Sequence, residues 1–274
     1  MRIWLNGTLR TEQEAGVSVF DHGLTVGDGV FETMKTVDGA PFALTRHLDR
    51  LARSAAGLGL PAPDLAELRR ACHETVAASP HPLGRLRLTY TGGSAPMGSD
   101  RAETVTPTVL AAHFPITRRP DTTAAVTVRW TRNERGALSG LKTTSYGENV
   151  VALAAARARA ATEAIFPNTT GALCEGTGTN VFVVLGSRAW TPPLSSGALA
   201  GVTRALVLEW TDAQEAELPM DALERAEEVF LTSTTRDVQA VARLDGRDLP
   251  AAPGPVTAEA MRVFAERAAA DVDP

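Results

Sequence analysis

Apolar residues along this chain keep two rhythms, and each stretch declares one of them. Alternation at period two marks residues 2–10, with Asn6-Gly7 as a two-residue turn. It marks 30–37 as well, which run into a second turn signal at Asp38-Gly39. It returns at 84–93, where Leu86, Leu88 and Tyr90 share one face and Arg85, Arg87, Thr89 and Thr91 the other. Helical spacing governs 44–60, with Thr45 as cap and a stripe of Leu48, Leu51, Ala52, Ala55 and Leu58. It also governs 64–78, through Leu65, Leu68, Cys72 and Val76. The alanine-rich run 150–166 predicts a further helix with Val150, Leu153, Ala154, Arg157 and Ala161 near one side. Strands are predicted at 108–112, 124–130, 172–185 (broken by two glycines) and 229–235, and helices at 205–210 and from about 257 to 270. Residues 114–121 hold two prolines and no periodicity, so they read as a linker between domains 1–113 and 122–274.

Composition suits a mixed α/β enzyme without establishing one. With 44% hydrophobic and 22% charged residues, no run approaches the roughly 18 apolar residues of a membrane span. The first residues lack the apolar core and cleavage site of a signal peptide. Cys72 and Cys174 have neither metal-ligand spacing nor a disulfide framework, so a cytoplasmic chain without a metal is expected. A net charge of −5 and the absence of any lysine-rich block argue against nucleic acid as a partner.

The positive charge is written almost wholly as arginine: only Lys35 and Lys142 are lysines among 27 basic side chains. Arginine cannot condense with an aldehyde, whereas a deprotonated lysine can. Lys142, between a glycine-bearing loop and a helical run, is either that amine or an ordinary surface lysine. Arg46, Arg50 and Arg53 follow i, i+4, i+7 spacing and are either a solvated flank or a grip on an anion. Arg85 and Arg87 pose the same choice on a strand. Glu175 stands in a small, apolar run, where a carboxylate sits at an edge or is held for a partner. Gly201, just before a helix, either leaves backbone N–H groups of the kind that hold a phosphate or is an ordinary helix start.

In order, these signals resemble the fold-type IV pyridoxal-phosphate enzymes: branched-chain and D-amino acid aminotransferases and 4-amino-4-deoxychorismate lyases. The motifs are Gly27-Asp28-Gly29-Val30-Phe31-Glu32-Thr33, Arg46-His47-Leu48-Asp49-Arg50-Leu51, Leu141-Lys142, the run from Cys174 through Glu175 to Phe182, Leu199-Ala200-Gly201-Val202-Thr203-Arg204, and Glu228-Val229-Phe230-Leu231-Thr232-Ser233-Thr234. The resemblance implies a small N-terminal α/β domain and a larger, barrel-like C-terminal α/β domain, with pyridoxal 5′-phosphate between them, in a homodimer. It implies that Lys142 carries the cofactor and that Glu175 faces its ring nitrogen. Arg50, the amides of Val202 and Thr203, and Thr234 would hold its phosphate. Phe31, Thr33 and Thr235 would meet the small-molecule substrate. Branched-chain aminotransferases have a tyrosine five positions after the lysine. Here Tyr146 stands at the fourth and Gly147 at the fifth, so Tyr146 is a looser match for that cofactor-touching group.

Within the family, the Gly-Asp-Gly-Val-Phe-Glu-Thr motif, the short chain and the Thr89–Gly93 and Pro96-Met97-Gly98 stretches look most like the lyases. Aminodeoxychorismate has two carboxylates, and Arg87 with Arg85 would answer them. An aminotransferase for branched-chain or D-amino acids is the alternative.

Overall fold

A computed structural model describes residues 1–274. The chain divides into two compact units. The first holds Met1–Arg118, Leu141–Tyr146 and Asp271–Pro274, and the second Arg119–Gly140 and Gly147–Ala270.

The first unit opens with the Asn6-Gly7 hairpin, strands β1 (Arg2–Leu5) and β2 (Thr8–Thr11). A single turn, α1 (His22–Thr25), is capped by the Asp21 carboxylate. Then come β3 (Gly29–Val37), β4 (Ala40–Pro41), helices α2 (Leu44–Leu58) and α3 (Leu65–Ala78), and strands β5 (Leu83–Thr91) and β6 (Thr108–Pro115). The six strands form one sheet in the order β2-β1-β6-β5-β3-β4. Alternation along β3 and β5 sends Val30, Met34, Leu86, Leu88 and Tyr90 to the side where Leu48, Leu51 and Leu68 of the helices bury them. Each such leucine contributes about 1.5–3 kcal/mol by leaving water. The other side of the sheet carries Phe31, Thr33 and Arg87, with Thr33 and Arg87 directly paired across the strands.

The second unit contains β7 (Thr122–Thr127), α4 (Gly147–Ala158), β8 (Glu163–Pro167), β9 (Leu173–Gly176), β10 (Asn180–Leu185) and β11 (Arg188–Thr191). It continues with α5 (Val202–Trp210), β12 (Gln214–Glu215), α6 (Ala222–Arg225), β13 (Glu228–Ser233), β14 (Asp237–Leu244), β15 (Arg247–Asp248) and α7 (Pro255–Ala270). Its mixed, curled sheet runs β12-β11-β10-β13-β14-β7-β8-β9, with β15 on β14. Ile165, Leu173, Val181, Val183, Val229 and Leu231 line its main core. The α/β class expected from the sequence is the class observed. No helix is long and apolar enough to cross a membrane.

Three expectations need correction. Residues 114 and 115 are not linker: they complete β6, where Phe114 pairs with Arg85 and Pro115 with Gly84. Assigning all of 122–274 to one domain also differs from the structure. Residues 141–146 belong to the first unit because they pair with the start of β3: the Phe31 amide donates to the Lys142 carbonyl at 3.0 Å, and the Thr144 amide to Gly29 at 2.8 Å. Residues 271–274 return to it as well. The alanine-rich run does not stay helical to 166. Ala160 takes a left-handed φ of 56°, and the β-branched and aromatic Ile165 and Phe166 join β8 instead. The buried side of α4 is Asn149, Ala152 and Ala156, leaving Val150 65% exposed.

Candidate active site

In the first unit the paired edge segment carries Lys142, and its backbone amide is fixed to Ser54 Oγ of α2 at 3.2 Å. The Lys142 ammonium lies over the Phe31 ring, 4.4 Å from its centroid, and 5.9 Å from that of Tyr146. Phe31 and Tyr146 meet edge to face at 5.3 Å. Arg87 stacks on the same Phe31 ring with its guanidinium carbon 3.2 Å from the centroid, and burial pushes its pKa down to about 10. Lys142, Phe31, Tyr146, Arg87 and Thr33 thus form one cluster on one side of β3 and β5.

Two further arginines of the first unit that were expected at the site have different surroundings. Arg85 shares a strand face with Arg87 but lies where β5 begins, exposed, with its guanidinium over Phe114 at 5.8 Å. Pairing it with Arg87 in a substrate grip is therefore not supported. Arg50 lies on the helix side of the sheet, buried, with Nε and Nη2 each donating to the Glu32 carboxylate at 2.7 Å. His47 Nδ1 joins the same carboxylate at 2.7 Å. Burial alone would raise the Glu32 pKa, but Arg50 and His47 more than offset it and hold the carboxyl far below the usual range. Burial pushes the His47 pKa down, against the pull of the Glu32 carboxylate beside it. The Glu32–His47–Arg50 network had a sequence signal that went unused: Glu32 occupies a core-facing position in an otherwise apolar alternation.

In the second unit Glu175 is the last residue but one of β9, paired across from Phe166. Its Oε2 accepts the Leu199 amide at 2.9 Å. Its Oε1 lies 3.3 Å from Arg132 Nε, an ion pair whose angle falls short of a hydrogen bond. Arg132 itself stacks on Phe166 at 4.1 Å and donates to Asn149. Nothing in the sequence singled out Arg132, one arginine in a polar loop. Beyond Leu199 the chain reaches α5, whose N-cap Gly201 offers no side chain to the amides of Val202 and Thr203. Gly201 packs so closely on Asn180 that an added Cβ would fall 2.0 Å from Oδ1. Asn180 in turn holds the Leu199 carbonyl at 2.9 Å and pairs with Thr232 of β13. Two residues past Thr232, Thr234 and Thr235 occupy the middle of a turn closed by the Arg236 amide donating to Ser233 at 3.1 Å. Glu175, the α5 start and the hydroxyl turn are therefore joined by short, direct links.

Each unit by itself carries groups suited to one part of a phosphorylated aromatic aldehyde. One half-buried amine is lodged against two rings. In the second unit a carboxylate is compensated by an amide and a cation. An amide-rich helix start and a threonine turn suit a phosphate.

A family model described as amino-transferase class IV matches residues 29–244. The chain is 34% identical over 274 residues to the D-alanine aminotransferase of Bacillus licheniformis, covering 94% of this chain and 93% of that one. It is 29% identical over 256 residues to the aminodeoxychorismate lyase of Bacillus subtilis, covering 86% and 84%. The branched-chain amino acid aminotransferase of Escherichia coli superposes with a TM-score of 0.91 at 26% identity, covering 97% of this chain and 93% of that one.

Proposed function

This chain belongs to the class IV aminotransferase family and depends on pyridoxal 5′-phosphate, and from that premise we propose that it is a lyase converting 4-amino-4-deoxychorismate to 4-aminobenzoate and pyruvate. Lys142 holds the cofactor, Glu175 meets its ring nitrogen, and the amides of Val202 and Thr203 with Thr234 receive its phosphate. When bound, the cofactor supplies an aldehyde for the substrate amine and a ring that draws electrons from the adjoining carbon. Lys142 Nζ takes the proton from the substrate carbon that bears nitrogen. Glu175 stabilises positive charge on the ring nitrogen as that proton leaves. Phe31 and Tyr146 wall the amine off from water. In the substrate, the bond from the neighbouring carbon to the enolpyruvyl oxygen breaks and the ring becomes aromatic. The products have the atoms of the substrate, so no oxo acid is consumed.

Arg87 is the observation that carries this reading. Thr235 meets one carboxylate, whereas Arg87 is a further dehydrated cation on the aromatic ring that Lys142 also approaches. Its burial penalty is relieved when an anion arrives, which favours a substrate with two carboxylates. The lyase relative in Bacillus subtilis adds support.

A second reading, an aminotransferase for D- or branched-chain amino acids, is favoured by the 34% identity to a D-alanine aminotransferase. A dicarboxylic amino donor would use Arg87 equally well. Oxo-acid dependence separates the two. Purified protein incubated with aminodeoxychorismate and no oxo acid is expected to release 4-aminobenzoate. Turnover only when an oxo acid is added would establish the aminotransferase instead. The proposal includes a homodimer in the cytoplasm.

A further inference from the structure

Glu163 and Arg236 are buried charges of the second unit that the proposed reaction leaves unused. Their side chains are 3% and 5% exposed and lie 3.4 Å apart. Glu163 opens β8 and aims its carboxylate under the turn that follows Glu175. Its Oε1 accepts the Thr177 amide at 2.8 Å and also the Thr177 hydroxyl. The turn is packed onto it: a Cβ added at Gly176 would come within 3.2 Å of the Glu163 carboxyl carbon and 2.2 Å of Thr179 Oγ1. Arg236 closes the other turn, the one holding Thr234 and Thr235. Its guanidinium donates to the Thr162 carbonyl at 3.0 Å and to Gln239, besides reaching Glu163. The next residue, Asp237, has a left-handed φ of 53°, so the chain leaves this turn at an angle that a non-glycine residue must be made to hold.

We infer that Glu163 and Arg236 are positioning residues, which lock the loop bearing Glu175 to the turn bearing Thr234 and so set the spacing between ring-nitrogen partner and phosphate ligand. One ion pair anchored to β8 reaches both segments. A carboxylate with three donors and a guanidinium with four acceptors are worth retaining in a core only where geometry matters, because an apolar pair of equal volume is often as stable. The inference rests on the proposed roles of Glu175 and Thr234.

The test uses apo and holo forms of the full chain. PLP affinity is measured by absorbance titration, the orientation of the bound cofactor by its visible circular dichroism, and scaffold integrity by thermal unfolding of the apo form. Glu163→Gln keeps the shape and loses the charge. It is expected to weaken PLP binding about tenfold to a hundredfold, the range that supporting groups are worth at metal centres, and to change the dichroism. Arg236→Lys, which keeps the charge without the fork, is expected to lose part of that affinity, and it carries the test alone if Glu163→Gln does not fold. Unchanged affinity and dichroism, with or without a lower apo melting temperature, would overturn the inference. Borohydride fixation in the wild type separates the two ideas. Label on Lys142 with indifferent variants sinks the positioning role alone, whereas no label on Lys142 sinks the reading beneath it.

Discussion

Two arginines two residues apart on one strand face opposite fates. Arg87 is wedged on Phe31, while Arg85 stands in solvent. Arg87→Leu is expected to lower kcat/KM for aminodeoxychorismate by about 2–5 kcal/mol, as loss of a desolvated charge partner does, and Arg85→Leu to change it by less than about 1 kcal/mol. Equal effects from both would return Arg87 to a solvated flank. Glu32 permits a prediction in pH. Its carboxyl is buried, but Arg50 and His47 depress its pKa in the folded chain. The stability it contributes is thus complete above the unfolded carboxylate value of about 4.3 and drains away as pH falls below that. Glu32→Gln leaves Arg50 buried without its counter-charge and is expected to cost on the order of 3–5 kcal/mol at neutral pH. Urea unfolding should show the gap to wild type closing on acidification, and a gap independent of pH would remove Glu32 as the titrating group. Lys142 stood out in the sequence because lysine is so scarce. Arg132 and the Glu163–Arg236 pair were not, because an arginine or glutamate in a chain rich in both shows its burial only once distant segments fold around it.

Among the elements, α2 illustrates a cap that no local pattern reveals. Thr45 reads as its cap, yet the helix starts at Leu44 behind Ala43, which has a φ of 53° and no capping side chain. Asp273 supplies the cap from 228 positions away: Oδ1 accepts the Thr45 amide at 2.8 Å and Oδ2 its hydroxyl at 2.6 Å. Asp273→Ala is expected to lower stability by about 0.5–2 kcal/mol, the usual worth of an N-cap, while Asp273→Asn should retain most of it. An unmoved urea midpoint in the alanine variant would show the cap to be idle. Elsewhere local rules sufficed. Asn6-Gly7 and Asp38-Gly39 turn where expected, and Asp64 caps α3 through the amides of Ala66 and Glu67. The register of α4 failed because an alanine-rich helix is nearly uniform around its circumference, so its buried side is chosen by the sheet it packs on rather than by its own periodicity.

Across the whole molecule, fold class was readable and chain routing was not. Alternation and helical stripes are local, whereas the return of 141–146 and 271–274 to the first unit depends on backbone pairing and on a single aspartate. That routing sets a clock on biosynthesis. A ribosome adding about 5–20 residues per second emits the cap for Thr45 some 10–50 s after Thr45 itself, given the 228 residues between them. Until then the first-made unit has an uncapped α2, and before residues 141–146 emerge the N-terminal part of β3 also has an open edge. Such an edge is where a nascent chain pairs with the wrong strand. The first unit therefore cannot complete its contacts until residues 141–146 and 271–274 have been made.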